Sequence, residues 1–376
     1  MASAQKYMYI CSVMKKILLL SDINSAHTKK WAAVLANKGF AVGIFSLSQA
    51  NDNWFEKAGI ELLSESGFSN GKFHQTQAKK ISYINRRKAV RKAIKQFQPD
   101  ILHAHYASSY GLLGAMAKFH PYFISVWGSD VLLFPSNPLN KAILRFNFRK
   151  ADKIVVSSHT LAQACRKFTR KKTQIIPFGV DTNLFATSDR SNRNNICIGT
   201  VKSLEKVYGI DLLIETFAQL VSQFPQQNIS LTIVGDGTQK ENFIQLAQHL
   251  GISDKIQFMA PVSQTELVKI YHSFDIAVFL SRSESFGVSV LEASATALPV
   301  VVSKTGGLTE VVDDKITGFQ VESGNINDAA ARIAQLISDH QLRLQMGMNG
   351  RRKVVDEYEI SQTISTICNL YSEDVQ

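Results

Sequence analysis

The feature that most constrains this chain is a rhythm that occurs twice. Short apolar runs alternate with helical stretches, a break intervenes, and the same alternation starts again. In the first half the runs are Lys16 to Leu20, Val42 to Phe45, Ile101 to Ala104, Phe123 to Val126 and Ile154 to Ser157. Thr28 to Lys38, closed by Gly39, reads as the first crossover helix. This is the cadence of βαβ units and a mostly parallel sheet. Between Pro177 and Arg193 it dissolves into Pro, Gly, Asn and Asp. A second set follows: Ile196 to Thr200, Ser230 to Val234, Ile256 to Met259, Ile276 to Leu280 and Val300 to Ser303, with helices over Asp211 to Phe224 and Gln239 to Leu250. The expectation is an α/β chain of two Rossmann-like, doubly wound domains, 1–182 and 183–360, with 361–376 as a helix crossing back to the first. Ligands bind beyond the carboxyl ends of parallel strands, so the site is expected in a cleft between the two domains.

Composition agrees with two cores. A chain of 376 residues that is 45% hydrophobic and 19% charged reads as a globular protein large enough for both. No run of about 18 apolar residues exists to span a membrane. Cys11, Cys165, Cys197 and Cys368 lie far apart, with neither disulfide nor zinc spacing, which fits a reducing cytoplasm. Met14 reads as the natural start, or residues 1–13 as a disordered extension. Charge is divided: residues 1–185 carry 27 Lys and Arg against 9 Asp and Glu, the remainder 15 against 22. Two halves of opposite sign imply surfaces with different partners.

The chemistry gathers after Ile276 to Leu280. Ser281-Arg282-Ser283-Glu284-Ser285-Phe286-Gly287 leads into a helical stretch, Val288 to Ala297. Small residues at a strand end feeding a helix start leave backbone N–H groups and a positive dipole end free, an anion site suited to a diphosphate. Glu292, one turn into the helix, is placed to accept from two ribose hydroxyls, and Glu284 is placed nearer a sugar. Taken alone, two glutamates at this spacing are more often solvated loop and helix carboxylates.

The wider pattern resembles a family. S-R-S-E-S-F-G-V-S-V-L-E-A, followed by A-L-P-V-V-V-S-K-T-G-G-L-T-E-V-V, is similar to the E-x7-E signature of retaining glycosyltransferases of family 4, the glycosyl transferases group 1. I-I-P-F-G-V-D-T-N-L-F at 175–185, I-G-T-V-K-S-L-E-K-V-Y-G at 198–209, I-V-G-D-G at 233–237 and I-Q-F-M-A-P-V at 256–262 resemble its other segments in the same order. The resemblance implies a GT-B fold and a metal-independent retaining hexosyltransferase without cofactor, whose second domain holds a nucleotide-sugar, with UDP preferred to GDP. By that resemblance Glu292 binds ribose, and Phe286, Gly287 and Val288 present N–H groups to sugar and diphosphate. Glu284 contacts the sugar, and Lys206 lies against the diphosphate, where a cation and oriented dipoles stabilise the departing charge. Thr200 stands where the family usually has arginine, and Lys202 is the candidate to take that part. Gly235 and Gly237 allow close approach near the nucleotide, or make a simple turn. Pro261 and Val262 flank the base.

The first domain is expected to take the acceptor. His103 and His105, at a strand end, are either polar lining groups or structural histidines. F-I-S-V-W-G-S-D-V at 123–131 aligns with the family's H-G-x-D segment but puts Trp127 in place of the histidine, leaving Gly128 and Asp130 as candidates. Same-face attack, with the leaving phosphate accepting the proton, demands no dedicated base. Lys79-Lys80, Arg86-Arg87-Lys88, Arg91-Lys92 and Lys95, interleaved with Ile81, Ile84, Val90, Ile94 and Phe97, form a basic amphipathic pattern that recurs more weakly at 141–153 and 166–172. It reads as a surface for anionic lipid or as a solvated outer helix; nucleic acid, for which no binding module exists, is disfavoured. The expectation is transfer to a lipid-linked or polysaccharide acceptor in cell-surface glycan synthesis, by a peripheral protein at the inner face of the cell membrane. The competing readings are an inactive nucleotide-sugar-binding partner subunit and a nucleotide-sugar 2-epimerase.

Overall fold

The computed structural model describes residues 15–63, 86–189 and 195–372. The reading of residues 1–13 and Met14, the Lys79 to Ile84 part of the basic pattern, and residues 373–376 of the expected crossing segment lie outside them.

The chain divides into two units. The first comprises Met1–Val156, Ala162–Ile175 and Ser365–Gln376, the second Ser157–Leu161 and Ile176–Ile364. In the first unit seven strands, β1 (Lys16–Leu20), β2 (Ala41–Phe45), β3 (Glu61–Leu62), β4 (Ile101–His105), β5 (Tyr122–Val126), β6 (Lys153–Val156) and β7 (Thr173–Ile175), form one sheet in the order β3-β2-β1-β4-β5-β6-β7. The second unit has β8 (Ile196–Val201), β9 (Ile229–Val234), β10 (Ile256–Met259), β11 (Ile276–Phe279), β12 (Val300–Ser303) and β13 (Gly318–Val321), ordered β10-β9-β8-β11-β12-β13. Each neighbouring pair is parallel. Both orders reverse once, at β1/β4 and at β8/β11, which makes each sheet doubly wound.

Burial explains why the strands formed where they did. Ile17 to Leu20 and Val300 to Val302 are covered on both faces, so they are apolar without alternation. β3, β7 and β13 were not foreseen. All three lie at sheet edges and two are very short, so continuous apolarity is missing. Helix boundaries follow capping chemistry. Gly39 (φ +85°) ends helix Ala26–Asn37, and Ser263 with Glu266 forms a capping box at helix Gln264–Ser273.

The second unit's core has two sides. Helices Ile210–Gln223 and Ile326–Ser338 pack Leu213, Phe217 and Ile333 on one face of the sheet. Tyr271, Phe274 and Leu291 pack on the other. Helix Ile360–Ser372 ends within the first unit, where Trp31 Nε1 donates to the buried Tyr371 hydroxyl at 2.9 Å.

Candidate functional site

In the second unit the loops after β8 and β11 leave the sheet at its reversal point. They meet through an ion pair: Lys202 Nζ contacts Glu284 Oε2, and each side chain is only 10% exposed. Lys202 Nζ also lies 4.9 Å from the centre of the Tyr208 ring. Tyr208 is itself held protonated, its phenol pushed up by burial, Glu284 and Glu205. A second contact fixes the loops to each other. Arg282 forks onto Asp211 at 2.8 and 2.7 Å, its Nη1 also donates to the Lys206 carbonyl at 2.7 Å, and its backbone N–H donates to the Val207 carbonyl at 2.8 Å. This bidentate geometry is specific to arginine. Sequence reasoning missed this fork, although Arg282 stood two residues before Glu284 and Asp211 in a first helical turn.

The glycines are required by the chain itself. A Cβ on Gly235 (φ +152°) would stand 1.9 Å from the Lys202 carbonyl oxygen, and one on Gly237 2.5 Å from that of Leu204. Their role is to bring the loop after β9 against the backbone of the Lys202 loop. Gly306-Gly307 does the same on the far side: a Cβ on Gly306 would lie 1.8 Å from the Glu284 carbonyl oxygen, to which Gly307 N–H donates at 3.1 Å. That pair was quoted in the sequence pattern without being recognised as the support beneath Glu284.

Helix Val288–Ala295 begins at Gly287, whose φ of +107° is a glycine conformation. The first N–H groups of a helix have no partner within it, so this end, beside Lys202 and Glu284 in the same loop system, favours an anion. Glu292, on this helix, is buried, with the Tyr271 hydroxyl 3.3 Å from its Oε2. Burial and this carboxylate push Tyr271 well above its ordinary value, so the phenol acts as donor. Phe286 points into the core against Phe178 and Tyr358, leaving only its backbone to face a ligand. Lys206 is exposed at the start of the turn Lys206–Tyr208. Pro261 is exposed and Val262 half-buried after β10. Thr200 departs from the expectation: it sits within β8 and is 1% exposed, so its side chain offers a ligand no surface.

In the first unit the structure decides between the two readings of the histidines. His103 and His105 lie in β4 with no exposure. His103 Nε2 bonds Ser125 Oγ at 2.9 Å, and its Nδ1 meets the Tyr371 hydroxyl. His105 Nδ1 meets Ser21 Oγ at 3.2 Å. Burial lowers His103 to about 3, and burial with the neighbouring His103 and His27 lowers His105 well below the ordinary value. These are neutral core histidines, not lining groups. Asp130, expected to contact the reacting sugar, is also fully buried. Its carboxylate accepts from the N–H groups of Ala107 (2.6 Å), Gly128 (2.8 Å) and Trp127 (3.2 Å), tying the loop after β5 to that after β4. Burial raises its carboxyl to about 6 against those N–H donors, and its side chain offers a ligand no surface. Trp127 is half-buried, its ring 5.0 Å from that of His105 and 5.3 Å from that of His27.

These loops therefore present Lys202, two carboxylates and a helix start, with Lys206 exposed on the turn that follows Lys202, groups whose chemistry suits a polyanion and hydroxyls. Comparison with known proteins agrees. A family profile described as Glycosyl transferases group 1 matches residues 183–353, and one described as Glycosyl transferase 4-like matches residues 16–158. N-acetyl-alpha-D-glucosaminyl L-malate synthase of Bacillus anthracis is 26% identical over 72% of this chain and 74% of its own length. D-inositol 3-phosphate glycosyltransferase of Corynebacterium jeikeium is 34% identical over 46% of this chain and 45% of its own, so that match spans less than half of either. Among solved structures, sucrose-phosphate synthase from Thermosynechococcus elongatus superposes with a TM-score of 0.83 at 18% identity, covering 95% of this chain and 98% of that one. Anabaena HepE in complex with UDP gives 0.77 at 18% identity, covering 96% and 100%. These neighbours share the GT-B fold.

Proposed function

Because the chain belongs to the glycosyl transferases group 1, we propose that it moves a sugar, with retention of anomeric configuration and without metal, from a UDP-sugar to a lipid-linked or polysaccharide acceptor in cell-surface glycan synthesis. The observation that carries this reading is the meeting of Lys202 and Glu284 where the order of the second sheet reverses, beside the start of the helix that bears Glu292. A diphosphate engages Lys202, Lys206 and the helix N–H groups, and the sugar hydroxyls engage Glu284. The Lys202–Glu284 pair is exchanged for contacts that strengthen as the nucleoside diphosphate leaves, which is how binding energy lowers the barrier. Glu292, oriented by Tyr271, receives the ribose hydroxyls. The acceptor attacks from the face the diphosphate leaves, and a phosphate oxygen takes its proton. The new glycosidic bond forms as the sugar–phosphate bond breaks, with no side-chain base.

UDP is favoured because structures of Anabaena HepE hold UDP and UDP-glucose. Metal independence is part of this reading because Lys202, Lys206 and the helix N–H groups take the part a divalent cation would play against the diphosphate charge. The basic amino-terminal half supports an acceptor at an anionic membrane on the cytoplasmic side, and no helix among the described residues is long and apolar enough to cross one.

The test is turnover in excess chelator. UDP-glucose and UDP-N-acetylglucosamine are incubated with the protein, and released UDP and the configuration of the freed sugar are followed by NMR. Slow hydrolysis with the α-configuration kept is expected. Epimerised UDP-sugar would identify a 2-epimerase, and no turnover with any donor or acceptor preparation would leave a partner subunit that only binds.

A further inference from the structure

Helix Pro138–Lys150 of the first unit buries part of its polar content and leaves an apolar stripe outside. The residues it buries include two asparagines, Asn140 and Asn147, beside Leu144 and Phe148. Both asparagines are occupied inward: Asn140 Nδ2 donates to the Phe134 carbonyl at 2.7 Å and Asn147 Nδ2 to that of Ala107 at 2.8 Å. The outward side carries Leu139, 64% exposed, while Ile143 and Phe146 are half-buried. At 100° per residue these three form one stripe, and Lys141, Arg145 and Arg149 form the next. The turn before the helix, held by the same Asn140 bond, presents Leu133, 60% exposed. Leu133 and Leu139 are the two exposed large apolar side chains of this unit among the described residues. Between Val131 and Ala151 the sequence holds four Lys and Arg and no Asp or Glu. Lys171 Nζ caps the helix's end at the Arg149 carbonyl, 2.9 Å, bringing the basic run 166–172 alongside.

A single exposed leucine says little; two of them continuous with a half-buried apolar stripe, over a face that buries asparagines, are informative. We propose that Leu133, Leu139 and the Ile143–Phe146 stripe enter the headgroup region of an anionic lipid bilayer, with Lys141, Arg145 and Arg149 as the basic collar. This rests on the membrane reading above and says which surface makes the contact. An apolar ridge with a one-sign collar matches an anionic bilayer in both its layers: the leucines reach the acyl boundary and the long basic stems lie along it with their charges at the phosphates. Helix Arg87–Phe97, the more obvious basic element, lacks the first half of that match. Its Val90, Ala93 and Phe97 are buried and Ile94 is half-buried, so it has no exposed large apolar side chain to match Leu133 and Leu139.

The experiment is co-sedimentation of the full chain with vesicles of equal parts phosphatidylglycerol and phosphatidylcholine, and with phosphatidylcholine alone. The variants are Leu133→Ser/Leu139→Ser, Lys141→Glu/Arg145→Glu and Arg87→Gln/Arg91→Gln/Lys95→Gln, each checked for an unchanged unfolding midpoint. Expected is binding of wild type to the anionic vesicles only, a loss on the order of tenfold or more in the leucine and charge-reversal variants, and a change within about threefold in the helix variant. Wild-type binding by the leucine variant would overturn this surface while leaving the membrane reading in place. Failure of wild type to bind either vesicle would overturn both.

Discussion

At the scale of single residues the account turns on Glu284, which is both a sugar contact in the proposed reaction and the counter-charge of Lys202. Removing its charge separates the two. Glu284→Gln frees Lys202 for phosphate, so UDP should bind as well as in wild type or up to about tenfold more tightly, while turnover falls by about 10² or more. Calorimetry and UDP release measured on one preparation check the split; parallel loss of both would mean the pair only holds the loop. The residue scale is also where the sequence was most uneven. The loop that carries Glu284 and the helix start at Gly287 that carries Glu292 were legible because a loop feeding a helix start has a local signature. Arg282 and Gly306 were not, because what they touch, Asp211 and the Glu284 carbonyl, comes from other loops. Asp130 and the two histidines were legible as special, but for the histidines the choice between lining and structural roles stayed open, because a sequence does not show that three N–H groups cover a carboxylate or that a tyrosine covers an imidazole.

At the scale of elements, β4 and the strands beside it carry a pH dependence of definite sign. His103, lowered to about 3, and His105, lowered well below its ordinary value, are neutral in the fold and ionise near 6.5 in the unfolded chain. Groups with lowered folded values of this kind contribute stability above the unfolded value, and it is lost as pH falls through the window below about 6.5. Asp130 runs the other way. Its raised value, about 6, adds relative stability as pH falls from 6 towards 4, but one carboxyl offsets only part of two histidines. Stability in urea, followed by tryptophan fluorescence, should therefore fall by several kcal/mol between pH 6.5 and pH 4.5. His103→Gln should flatten that slope even where it lowers stability at pH 7; a flat wild-type profile would contradict the neutral core pair. Element identity was otherwise well marked in the sequence, since buried parallel strands are apolar throughout. The edge strands β3, β7 and β13 escaped because they lack that run.

For the whole molecule, the sequence disclosed two doubly wound sheets and a charge imbalance between halves; the structure adds the strand orders, and with them the reversal point that places Lys202 and Glu284 together. The measurement closest to the central claim is calorimetric binding of UDP and GDP in excess chelator to wild type and Glu292→Ala. Metal-free UDP binding, weakened in the variant by about 1.5 to 3 kcal/mol, roughly tenfold to over a hundredfold in Kd, is expected from loss of hydrogen bonds to a charged group. Binding that requires metal, ignores Glu292, or is absent for both nucleotides would contradict the account.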